Sequence, residues 1–190
     1  NAKTWTGNAT RKIEGYARIV KALAQDSRFS YKIGTTELGR GQVHGVHCAL
    51  LDNFNVDPEI DEPAAYARWI LTISDRLAGI RDRLATLGPQ DFQHVPFGDP
   101  RCEGAGAFVE SKALPIYLCA WYWPNASARP ATIIHEVAHL KGMSDVEYED
   151  SEGWWLPPPN CLRWRRFSIE VNDTAKNPDS YALFCADAGK

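Results

Sequence analysis

The chain has 190 residues, 44% of them hydrophobic and 24% charged, the ordinary usage of one globular domain, which excludes collagen-like, coiled-coil and intrinsically disordered architectures. Its net charge of -3 lacks the basic surplus that a phosphate backbone demands, so nucleic acid is not an expected partner. No apolar run approaches the roughly 18 residues of a membrane span, and the opening Asn1-Ala-Lys-Thr-Trp5 has neither an initiator Met nor a signal h-region, as expected of a chain processed or cut from a longer one.

From Arg11 to about Gln25, Ile13, Tyr16, Ile19, Val20 and Leu23 recur at steps of three and four and predict an amphipathic helix. Basic side chains dominate residues 1–40, whereas residues 41–62 carry acids and no Lys or Arg, a polarity that reads as solvated surface. Asp57-Pro58 and Glu62-Pro63 precede a long helical stripe of Tyr66, Trp69, Ile70, Ile73, Leu77, Ile80, Leu84 and Leu87, stopped by Gly88-Pro89. Residues 90–107, rich in Gly and Pro, read as a connecting loop. Leu114 to Trp123, aromatic and branched, predicts a strand, and Pro115 an edge position for it. Thr132 to Lys141 is helical with Gly142 as its stop; an acidic stretch, a Trp-Trp-Leu-Pro-Pro-Pro159 turn and a helix from about Pro178 to Ala186 complete the chain. Without repeats or a boundary, residues 1–190 form one expected domain, helical over about 1–90 and carrying the chemistry over about 91–190.

The five cysteines, Cys48, Cys102, Cys119, Cys161 and Cys185, make no CxxC pair, and their odd number leaves one unpaired in a monomer. Two disulfides with one free thiol, in a secreted or extracellular protein, is the preferred reading over five reduced buried thiols.

The chemistry concentrates in His135-Glu136-Val-Ala-His139. On a helix the two imidazoles lie one turn apart on one face and can grip one metal ion, while Glu136 beside them can take a proton from a water activated there. One zinc ion suits such a site. A third ligand is required, and Asp145, Glu147, Glu149, Asp150 and the distant histidines are candidates. Proximity favours the acids, and a reversal at Gly142 would bring Asp145 under the metal. His44-x-x-His47 has ligand-like spacing as well, although surface or capping histidines are commoner, and His94 stands alone.

His135-Glu-x-x-His139 followed by Gly142-Met-Ser-Asp145-Val-Glu-Tyr148 resembles the aspzincin metallopeptidases, the deuterolysin and peptidyl-Lys metalloendopeptidase group. Met143 stands for the family's Thr and Glu149 for its Gly. Cys102 through Cys119 and Asn177-Pro-Asp179-Ser-Tyr181 are similar to two further family segments, so the likeness spans about residues 100–188. The resemblance implies His135, His139 and Asp145 as zinc ligands, Glu136 as general base, Tyr148 as oxyanion donor and Asp179 as a substrate-binding acid. It also implies a Cys102–Cys119 bond, with Cys161–Cys185 as a second guess. The Glu that lysine-specific members place three residues after Asp179 is Ala182 here, so strict lysine specificity does not follow.

The expectation is an α+β, zincin-like metallopeptidase domain, helix-rich with a small sheet beside the HExxH helix. Its function would be zinc endopeptidase action on protein or peptide substrate by a monomer, with extended substrate added to the edge strand. Alternatives are a toxin or effector domain of a larger secreted protein, a zinc amidase or cell-wall hydrolase, and a non-catalytic binding module. A metzincin-like protease also fits the His139-x-x-Gly142-x-x-Asp145 spacing, but its methionine turn lies downstream of the ligands, whereas Met143 lies between them.

Overall fold

The computed structural model of the protein describes residues 1–23, 42–57, 61–145 and 171–189. Helix α1 (Ala2–Leu23) starts well before the Arg11 that apolar spacing predicts. The Asn1 side chain accepts the Thr4 N–H at 3.0 Å and caps the first turn. Thr6 and Thr10 then extend the inward stripe of Ala9, Ile13, Tyr16, Ala17 and Val20. Their buried hydroxyls donate back to the Ala2 and Thr6 carbonyls at 2.9 and 2.7 Å, so no polar group is stranded.

Helix α2 (Gln42–Phe54), which the sequence reading did not anticipate, buries Val46, Ala49, Leu50, Leu51 and Phe54. Helix α3 (Pro63–Thr86) follows its predicted bounds: Pro63 occupies the first turn, where its missing N–H costs nothing, and Tyr66, Ile70, Ile73, Leu77, Ile80 and Leu84 face inward. It packs along α1, and the Tyr16 and Tyr66 hydroxyls meet at 2.5 Å in the seam between them.

Three short strands make the sheet: β1 (Phe92–His94), β2 (Ala107–Glu110) and β3 (Ala113–Leu118), in the order β1-β3-β2, with β1 parallel and β2 antiparallel to β3. Two expectations are corrected here. Residues 90–107 are not simply a loop, because β1 and the start of β2 lie within them, each too short for an alternating pattern to show. The predicted strand Leu114 to Trp123 ends at Leu118 and is the central strand, not an edge. Pro115 is tolerated because pairing with β1 begins only at Ile116 and the β2 register is irregular between Val109 and Glu110, so neither neighbour requires its missing N–H. Beyond Cys119 the chain turns through Ala120–Tyr122.

Helix α4 (Arg129–Leu140) packs against β2 and against the last helix, α6 (Pro178–Ala188), which follows the short α5 (Val171–Thr174). Phe54 of α2 sits edge-on to Tyr181 and Phe184 of α6, with centroids 5.0 and 5.7 Å away. One apolar cluster runs from Ala9 through the sheet to Ala188, joining the helical first part to the part that carries the chemistry. The architecture is helix-rich α+β, and no helix among the described residues is long and apolar enough to cross a membrane.

Cys102 and Cys119 are bonded, as the resemblance implies, which fastens the lead into β2 to the end of β3. Cys48 is also disulfide-bonded. The second guess, Cys161–Cys185, is corrected: Cys185 is a free, fully buried thiol in α6, packed 4.0 Å from the Thr6 hydroxyl of α1 and pushed up to about 12 by burial. Cys161 and the Trp-Trp-Leu-Pro-Pro-Pro159 turn lie outside the described residues.

Candidate metal centre

Helix α4 buries Ile133, Ile134, Val137 and Ala138, and this anchoring turns His135 and His139 toward the open side beneath β2. Its end is a full Schellman motif. Gly142, at φ +87°, donates to the His139 carbonyl at 2.9 Å, and the Met143 N–H reaches back to the Ala138 carbonyl at 3.2 Å. A side chain with a Cβ resists that left-handed backbone, which is why the position wants glycine. The reversal predicted at Gly142 is therefore present, and it returns Asp145 to the two histidines.

The ring nitrogens are oriented from behind. His135 Nδ1–H donates to Asp179 Oδ1 at 2.6 Å, and His139 Nδ1–H to the Met143 carbonyl at 3.1 Å. With both Nδ1 atoms spent as donors, both Nε2 atoms direct lone pairs into the site, where they stand 3.0 Å apart. Asp145 closes the triangle, Oδ1 lying 3.3 Å from His135 Nε2 and Oδ2 3.4 Å from His139 Nε2. Four-coordinate zinc with bonds near 2.0–2.1 Å has ligand-to-ligand edges of about 3.3–3.4 Å. The Asp145 oxygens lie at that separation from the two Nε2 atoms and the Nε2 pair is slightly closer, so the three side chains would hold such an ion after a small adjustment. They form the one group of this kind among the described residues. His94 is elsewhere, its ring 5.9 Å from Trp123, and the side chain of His44 lies outside the described residues.

Glu136 is 4% exposed, and its Oε2 has no hydrogen-bond partner among the described residues. Burial raises its carboxyl to about 7; the neighbouring Asp145 and Asp179 charges add to the rise, while His135 and the Val109 main-chain N–H oppose it. At His135 burial alone would lower the ring's pKa, but the hydrogen bond and charge of Asp179 override it and the net shift is upward. Asp179 is held below the usual carboxylate range by the same bond. His139 is lowered, chiefly by burial.

Two hollows adjoin the donors. One, of about 500 Å³, runs along β2 past Phe108, Val109 and Lys112. The other, of about 580 Å³, is walled by small side chains, among them Ala105, Ala107, Ala128, Ala131 and Ala182. The sheet edge facing this groove is β2, whereas the substrate edge expected at Leu114 to Trp123 is interior.

The structure brings together His135, Glu136, His139, Asp145 and Asp179. Tyr148, Glu147, Glu149 and Asp150 lie outside the described residues. Asp179, expected as a substrate acid, spends one oxygen on His135 while lining the larger hollow. The sequence reading missed the Met143 carbonyl and the Val109 N–H. Gly142 signals the first, since a Schellman turn returns the next residue over the helix end; nothing local signals the second. Compared with protein-family models, with curated proteins and with solved structures, the chain matches none.

Proposed function

We propose that this chain is a zinc-dependent endopeptidase of zincin-like fold. The observation that carries the reading is the pair of Nε2 atoms 3.0 Å apart with the Asp145 carboxylate across from both. Such an arrangement repels itself unless a cation or proton lies between its members, and two imidazoles with a carboxylate are a donor set that suits zinc. Zinc bound there would supply Lewis acidity toward water and a peptide carbonyl.

The chain's own residues supply the rest. Asp179 and the Met143 carbonyl fix the tautomers and aim of the histidines. Glu136, buried with Oε2 unpartnered among the described residues, would take the proton of the attacking water and return it to the leaving amine. An extended peptide would add to β2, the outer strand among the described residues, not to β3, with main-chain hydrogen bonds holding its scissile carbonyl over the donors. The small-walled hollow would receive a neighbouring side chain, with the second oxygen of Asp179 within it. From the aspzincin resemblance, Tyr148 is the proposed oxyanion donor. The Cys102–Cys119 and Cys48 disulfides favour a secreted setting.

Metal analysis of the purified protein should find about one zinc per chain. Glu136→Gln should keep that zinc while peptide hydrolysis falls roughly 100- to 10,000-fold. Unchanged hydrolysis in this variant would overturn the reading. Casein and peptidoglycan assayed side by side separate it from a cell-wall amidase, which would turn over only the second.

A further inference from the structure

We infer that Lys112 is a positioning residue for the metal centre, tying the tip of the β2–β3 hairpin to the connection that carries Asp145. The inference rests on the metal reading above and concerns what keeps the third ligand in place. Lys112 Nζ donates to the Gly142 carbonyl at 2.8 Å and to Ser144 Oγ at 2.7 Å, thirty or so residues along the chain. Beyond the Schellman turn this connection is exposed at Ser144 and Asp145, and residues 143–145 belong to no helix or strand. Apart from the two histidines that Asp145 would join at the metal, Lys112 is the one described side chain that bonds to residues 142–145.

The backbone at Lys112 argues in the same direction. Ser111 and Lys112 form the two-residue turn between Glu110 and Ala113, with φ of 52° and 57°. Both central residues of such a hairpin turn lie in the left-handed region, where Gly, Asn and Asp are favoured and a lysine is strained. Local conformation therefore gives no reason for lysine. The long stem does, because only a side chain of that reach carries an ammonium from the hairpin tip to Gly142 and Ser144.

Charge works against the site, which makes the test decisive. An ammonium beside a cation site repels the cation, so removing it would tighten zinc binding if charge were all that mattered. If its bonds place Asp145, removing it weakens binding. Zinc affinity measured by competition with a chromophoric chelator should fall about 10- to 100-fold in Lys112→Gly, the scale of a lost orienting contact. The melting temperature of the metal-free form should hold or rise, since glycine relaxes the turn. Lys112→Arg, which keeps a cationic donor of similar reach, should stay closer to the parent. Ser144→Ala should weaken binding less, and should add nothing when combined with Lys112→Gly, because both remove the same tie. Lys112→Met, which keeps the stem and the turn's backbone restriction, should show the same loss should glycine loosen the hairpin. Unchanged or tighter zinc binding in the Gly and Met variants, with the parent binding zinc, would overturn the positioning role alone. A parent that binds no zinc would overturn the metal reading and this inference together.

Discussion

Helices α1 and α4 both bury polar side chains, and they treat them in opposite ways. On α1, Thr6 and Thr10 turn back to carbonyls of their own helix, and the Tyr16 hydroxyl meets that of Tyr66, so the buried face is chemically closed and serves packing against α3 and α6. On α4, His135 and His139 are satisfied from behind while their Nε2 atoms face each other, and Glu136 keeps a buried oxygen with no partner among the described residues. Polar atoms left open beside others supported with care are what a binding centre requires, and they cost stability that α1 and α3 make up elsewhere.

Removing donors should separate the two faces most sharply. His139→Ala should emerge from gel filtration without zinc, since two remaining ligands hold the ion weakly, yet its metal-free form should fold as well as the parent. Retained stoichiometric zinc would show that the open face of α4 is not the centre. On the closed face the reverse holds: Ile13→Ala, fully buried on α1, should lose about 2–5 kcal/mol in denaturant melts while zinc per folded chain stays constant.

Asp179→Asn tests the support behind the open face. It keeps shape but weakens the acceptor for His135 Nδ1–H, so zinc affinity should drop about 10- to 100-fold with little change in the metal-free melting temperature. The smallest effect concerns Glu136 in metal-stripped protein. Its carboxyl is raised from 4.5 to about 7 by burial, so the folded state holds a proton that the unfolded state has released. Stability from this group is full below pH 4.5 and is lost as pH rises through about 7, on the order of 1–3 kcal/mol. Glu136→Gln should remove that slope from the stability profile; a parallel profile would mean that the carboxyl is not desolvated.

Much of this contrast was legible in the sequence. The stripe of α3 and the HExxH spacing on a helix are periodic signals, and Gly142 marked the reversal that returns Asp145 to the histidines. Where side chains are held by tertiary contacts the signal failed. The first turns of α1 are buried through threonines, and β1 and β2 are too short to alternate. Pro115 suggested an edge because the irregular pairing that accommodates it arises only once the sheet is assembled. Asp179 was noticed for its motif, but its bond to His135 spans 44 residues and needs α6 packed on α4 to exist.

The Cys102–Cys119 bond holds the β2–β3 hairpin at its base, and the Lys112 bonds hold it at its tip. A strand fixed at both ends presents its outer edge already ordered. If, as proposed, an extended peptide pairs with β2, the loss of conformational entropy would fall on the incoming chain alone, so flexible segments should be penalised by their own length and stiffened ones favoured. Selection at this edge would then act on how ordered a peptide is before it arrives, as well as on which side chains it carries.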